Sequence, residues 1–112
     1  DEYYKEGLAI NQRLEKLQAA ESMQLQAELW ITGEDARVEL NQTLDEAALS
    51  LRLGHPLEAD LDRELTLVRV ADKAYVGKLE PLSTARWHWQ LEPSVRPEWR
   101  LNGRYETKPQ GE

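Results

Sequence analysis

The side chains able to do chemistry here are few. There are two histidines, His55 and His88, four tryptophans, four serines and 21 carboxylates against 14 basic groups, with no cysteine. The missing thiol removes disulfide scaffolds, thiolate metal sites and cysteine nucleophiles together. A serine nucleophile needs a positioned base, yet Ser22, Ser50, Ser83 and Ser94 share two imidazoles and none sits on a strand-to-helix elbow. Carboxylate pairs such as Glu34 with Asp35 and Asp60 with Asp62 fall beside turn residues, where solvated charge is their ordinary role. No catalytic residue is expected, and the chain reads as a non-enzyme. A metal site would have to draw on His55, His88, Met23 and the carboxylates Glu58, Asp60 and Asp62. His55 stands beside Pro56 and no histidine spacing repeats, so no cofactor is expected. A small copper-binding carrier using His55 and His88 is the alternative.

The indoles say more, because four Trp with no Phe is an unusual aromatic balance. In Trp87-His88-Trp89, strand alternation puts both rings on one side and the imidazole on the other. Trp87, Trp89 and Trp99 are expected to fill the core, as aromatics do in domains of this size. Trp30 differs, since it shares the parity of Gln24, Gln26 and Glu28. It either meets the N-terminal helix or remains exposed as an interaction site. A carbohydrate-binding module is a further alternative, and it requires several indoles in an exposed row.

The elements that must position these groups follow from hydrophobic spacing. A chain of 112 residues with eighteen Leu can build one modest core, so a single globular domain is expected. A net charge of −7 opposes binding to nucleic acid, whose affinity comes from cations. Met23, Leu25, Ala27, Leu29 and Ile31 alternate with polar residues and predict a strand from Ser22 onward. Gly33-Glu34-Asp35 turns the chain into a second strand at Ala36, Val38 and Leu40. A third strand, Ala47 to Leu53, stops at Gly54-His55-Pro56. Glu64 to Val70, Tyr75 to Leu79 and Arg86 to Leu91 give three more. Asn102-Gly103 is expected to form a type I′ hairpin turn within Glu98 to Glu106. The fold class expected is mainly β: an N-terminal amphipathic helix over residues 1–21, then an antiparallel immunoglobulin-like β-sandwich of seven to eight strands over 22–106. Residues 107–112 form a flexible tail.

That helix opens without a start signal, for no capping Ser or Thr precedes its periodic residues and position 1 is not Met. It is therefore expected to continue backwards into sequence not present here. Tyr3, Gly7, Ile10, Leu14 and Leu17 recur on one helical face that needs a partner surface. Tyr3 and Tyr4 suit a membrane–water boundary, and the small Gly7 beside Ile10 would allow another helix to approach closely. These four, with Trp30, are the expected partner or membrane interface.

The opening string Asp1-Glu2-Tyr3-Tyr4-Lys5-Glu6-Gly7-Leu8-Ala9-Ile10-Asn11 resembles the juxtamembrane signature of FixH proteins. Further echoes stand at Gly54-His55-Pro56, Asp62-Arg63-Glu64-Leu65, Tyr75 with Gly77 and Leu79, Trp87 with Trp89 and Leu91, and Trp99 with Leu101 and Gly103. Glu2 and Glu6 depart mildly from the usual string. The resemblance implies one transmembrane helix ahead of this segment, a bacterial inner-membrane location and a domain in the periplasm. It also implies a non-enzymatic accessory role in assembling cbb3-type cytochrome c oxidase, through contacts with oxidase subunits or other assembly proteins. It carries no catalytic residue and no metal site.

Overall fold

The computed structural model describes residues 2–55, 62–79 and 86–106, with side chains from residue 12 onward. A helix, α1 (Glu2–Ser22), precedes seven strands: β1 (Ala27–Thr32), β2 (Asp35–Leu40), β3 (Ala48–Gly54), β4 (Arg63–Ala71), β5 (Ala74–Lys78), β6 (Arg86–Pro93) and β7 (Leu101–Glu106). The strands form a single antiparallel sheet in the order β1-β2-β5-β4-β3-β6-β7. Two separate sheets were expected. Instead β3 and β4 pair from Ala48–Val68 to Leu53–Arg63, joining the two halves into one wall. The wall curls until a side chain bridges its edges: the Tyr105 hydroxyl on β7 donates to Ile31 O on β1 at 3.2 Å and accepts from Ile31 N–H at 3.1 Å. The result is a mainly β, nearly closed barrel.

Alternation decides what fills it. Leu49, Leu51 and Leu53 of β3, Leu67 of β4, Tyr75 of β5 and Leu91 of β6 are fully buried, with Val38 and Trp87 close behind. Straight leucine is a weaker strand former than the β-branched residues, so burial rather than intrinsic preference holds these strands. The buried Tyr75 phenol donates to Glu46 O at 2.7 Å, which ties the β2–β3 connection to the sheet. Between β1 and β2, Gly33 takes φ 60° while Glu34 stays out of the left-handed region, the pattern of a type II′ turn.

Two expectations fail for local reasons. The first strand starts at Ala27, not at Ser22, because the helix runs through Ser22 and ends in a Schellman motif. Leu25 N–H donates to Ala20 O at 3.0 Å and Gln24 N–H to Glu21 O at 2.9 Å, with Gln24 at φ 55° and Ala20 and Leu25 both buried beside the core. The apolar alternation of Met23 and Leu25 is thus a helix stop. Gln24→Gly is expected to stabilise the chain by about 0.5–1 kcal/mol, since glycine meets no Cβ penalty at positive φ. Denaturant midpoints measure this, and a lower midpoint for the variant would contradict the motif.

Asn102-Gly103 is not a turn. It lies inside β7, Asn102 opposite Gln90 and Gly103 opposite Trp89, and Gly103 has no positive φ. Its lack of a side chain serves the Trp89 indole, since a Cβ on Gly103 would stand 2.4 Å from Trp89 Cε2 and Cζ2. The eighth strand that this turn would have created is absent among the described residues.

Candidate functional site

On β1, β2 and β4 the outward parity carries residues that a barrel wall does not need. Pairing aligns Trp30 with Arg37, Arg37 with Val76, and Val76 with Val68, so one row crosses β1, β2, β5 and β4. Trp30 is 42% exposed, Val68 56% and Val70 55%. A shallow depression of about 660 Å³ lies over this row, lined by Trp30, Arg37, Thr66, Val68, Val76 and Lys78. Its cations are paired: Arg37 with Glu39 at 2.9 Å and Lys78 with Asp35. Its hydrogen bond to Asp35 holds the Lys78 ammonium above its usual range. Exposed apolar groups set beside an arginine and solvated ion pairs have the composition of a protein-contact surface.

The other sequence-derived candidates disperse. His55, after β3, sets its ring edge-on to the buried Trp87, with centroids 5.4 Å apart at 87°. His88 is on the exposed face of β6, opposite Gly54, so the two imidazoles lie on opposite sides of the sheet and do not converge. Among the described residues no group of three or more His, Cys, Asp or Glu is placed to hold a metal ion, and Glu58 and Asp60 lie outside them. Asp62 instead closes the β3 end: its Oδ1 accepts from His55 N–H at 2.8 Å and its Oδ2 from Arg52 at 3.3 Å. The His55 hydrogen bond holds this carboxyl below its usual range, with burial opposing and Arg52 assisting. That contribution is present above the ordinary carboxylate range and is lost as pH falls through the lowered value.

Of the indoles, Trp87 and Trp99 are buried and Trp89 is partly buried, which leaves Trp30 as the exposed one. The row of several exposed indoles that a carbohydrate module would require is not formed. Trp30 lies on the open outer face, one of the two positions its parity allowed.

The helix bears on the sheet through its last turns. Ala20 is buried, Lys16 Nζ lies 3.6 Å from Glu92, and Arg100 N–H donates to Lys16 O at 3.1 Å while its guanidinium pairs with the same Glu92 at 3.3 Å. One turn further out Leu14 is 47% exposed, so the apolar stripe is not laid along the barrel there. Among the described residues no helix is long and apolar enough to cross a membrane. Tyr3, Tyr4, Gly7 and Ile10 fall within α1, and their side chains lie outside the described residues.

Sequence reasoning singled out Trp30 and missed its companions. Val68 and Val70 share the parity of Glu64 and Thr66, opposite to Leu65 and Leu67, and that signal was available in the strand itself. The alignment of Val68 with Trp30 was not, because it depends on β2 pairing with β5 and β5 with β4.

The sequence model of the FixH family matches residues 1–106. No curated protein and no solved structure matches the chain significantly. The match takes in the helix and every strand of the barrel, and the chain belongs to the FixH family.

Proposed function

We propose that this chain is the contact domain of a non-enzymatic, membrane-anchored accessory factor that assists assembly or stability of a cbb3-type cytochrome c oxidase by binding oxidase subunits or other assembly proteins. Family membership supports the system. The mode of action rests on one observation, the outward Trp30–Arg37–Val76–Val68 row with Trp30 and Val68 exposed. Tryptophan and arginine are the side chains most enriched at interface hot spots, and an indole left in water forgoes the burial that stabilises the rest of the barrel.

The strand order supports an immunoglobulin-like reading of the fold. The halves β1-β2-β5-β4 and β3-β6-β7 correspond to the ABED and CFG sheets of a constant-type domain, joined here by β3–β4 bonding. In the bacterial inner membrane, a span ahead of α1 would place the barrel in the periplasm, with Tyr3 and Tyr4 at the lipid boundary and Gly7 and Ile10 toward a neighbouring helix. The exposed Leu14 supports a helix that is held only at its barrel end.

The test is co-purification of oxidase subunits with the full-length protein carrying Trp30→Glu and Val68→Glu. Recovery is expected to drop by about tenfold or more, the loss of one hot-spot contact or greater. Both positions are solvent-facing, so the thermal midpoint should move little. Undiminished recovery with this double variant would remove the outer face from the proposal.

A further inference from the structure

The sheet stops short of closure along one line, between β1 and β7, and hydrogen-bond alternation shows what that line presents. Leu40 sends its N–H to Lys73 O at 2.8 Å, away from β1, so the Ala27–Leu40 pair exchanges no main-chain bonds. Ala27, Leu29 and Ile31 therefore turn their N–H and C=O groups to the free edge of the sheet. At Ile31 both groups are taken by the Tyr105 hydroxyl. Across the gap, Arg100 N–H donates to Lys16 O and not to β6, and the same alternation turns Asn102 and Arg104 toward β1.

Among the described residues no main-chain pairing joins these two edges, and a side-chain hydroxyl makes the bridge where a ladder would otherwise run. The edges that Tyr105 bridges thus keep main-chain groups open to an added strand. Beyond Tyr105 they surround a cleft of about 450 Å³, walled by Leu25, Ala27, Leu40, Trp89 and Leu101 on the apolar side. Its mouth carries Glu28 and Glu39, directly opposite each other on β1 and β2. Like charges in that relation destabilise a sheet, and only Glu39 has a cation, Arg37, within an ion-pair distance among the described residues.

We infer that this opening accepts an extended segment of a partner protein as an added strand, hydrogen-bonded to the main chain of Ala27 and Leu29. Its inward side chains are apolar and rest on Trp89 and Leu101, and its outward ones are basic and face Glu28 and Glu39. Main-chain pairing supplies the affinity and the alternate side chains the selectivity. The cleft lies between the edges of β1 and β7, while Glu28 and Glu39 share the outer surface of β1 and β2 with Trp30 and Arg37.

The experiment selects displayed random peptides of about ten residues, somewhat longer than an average strand, on the full chain and on Ala27→Pro. That substitution removes one N–H that points into the opening, at the first residue of a strand where proline is accommodated. Peptides enriched on the parent chain should alternate apolar and basic residues and slow hydrogen exchange at the Ala27 and Leu29 amides. They should also bind Ala27→Pro about tenfold or more weakly. Should Ala27→Pro fail to fold, main-chain N-methylated copies of the same peptides must lose binding to the parent chain to the same degree. The inference is overturned if no peptide is enriched, if binding ignores Ala27→Pro or N-methylation, or if both amides still exchange freely in the complex.

Discussion

Trp87→Ala is expected to lower folding stability by about 3–5 kcal/mol, the cost of emptying a buried aromatic site, whereas Trp30→Ala should cost less than about 0.5 kcal/mol. The two residues face opposite sides of the sheet. Trp87 faces inward from β6, is 2% exposed and supports the His55 ring at the end of β3. Trp30 faces outward from β1. A domain of this size is stable by about 5–15 kcal/mol, so the first variant should lose a large share of that stability and the second should be hard to tell from the parent. Urea denaturation followed by far-ultraviolet circular dichroism measures both. Equal losses would mean that Trp30 is a structural residue, and its exposure would no longer point to a partner.

The second large effect is expected at Gly103. A methyl group there would overlap the Trp89 ring, at 2.4 Å from two of its carbons and 2.7 Å from Nε1, so Gly103→Ala should cost about 1–3 kcal/mol through overpacking. The penalty belongs to the pair and not to the glycine. In a Trp89→Leu background the same substitution should cost much less, because the atoms it meets are gone and alanine resists unfolding better than glycine. A double-mutant cycle from denaturant midpoints reads the coupling. Additive losses would show that Gly103 is needed for its backbone and that the indole does not rest on it.

Gly103 also shows where sequence reading loses its hold. Asn-Gly suits a tight turn and equally suits a strand position beneath an aromatic ring, and only the partner strand decides between them. Gln24 gives the same lesson in reverse, for a left-handed helix stop without glycine leaves no composition signal, and its apolar neighbours then imitate a strand. The inward leucines of β3, β4 and β6 were legible because burial on one face of a strand imposes a period of two. So was the turn at Gly33. The closure by Tyr105 and the alignment of Val68 and Val76 with Trp30 were not, since each rests on contacts between residues far apart in the chain, and the joining of the halves through β3 and β4 was not, since main-chain pairing of two consecutive strands leaves no composition signal. The candidate face was therefore half visible: its indole could be read from parity, and its extent could not.

The measurement that bears most directly on the proposed contact role is site-specific photocrosslinking in cells that produce the oxidase. A benzophenone side chain at position 30 of the full-length protein should yield a covalent product with an oxidase subunit or an assembly protein. The same group in place of Gln90, exposed on the opposite half of the barrel, should yield little. No product at position 30, or equal products at both positions, would contradict a partner seated on the Trp30 face.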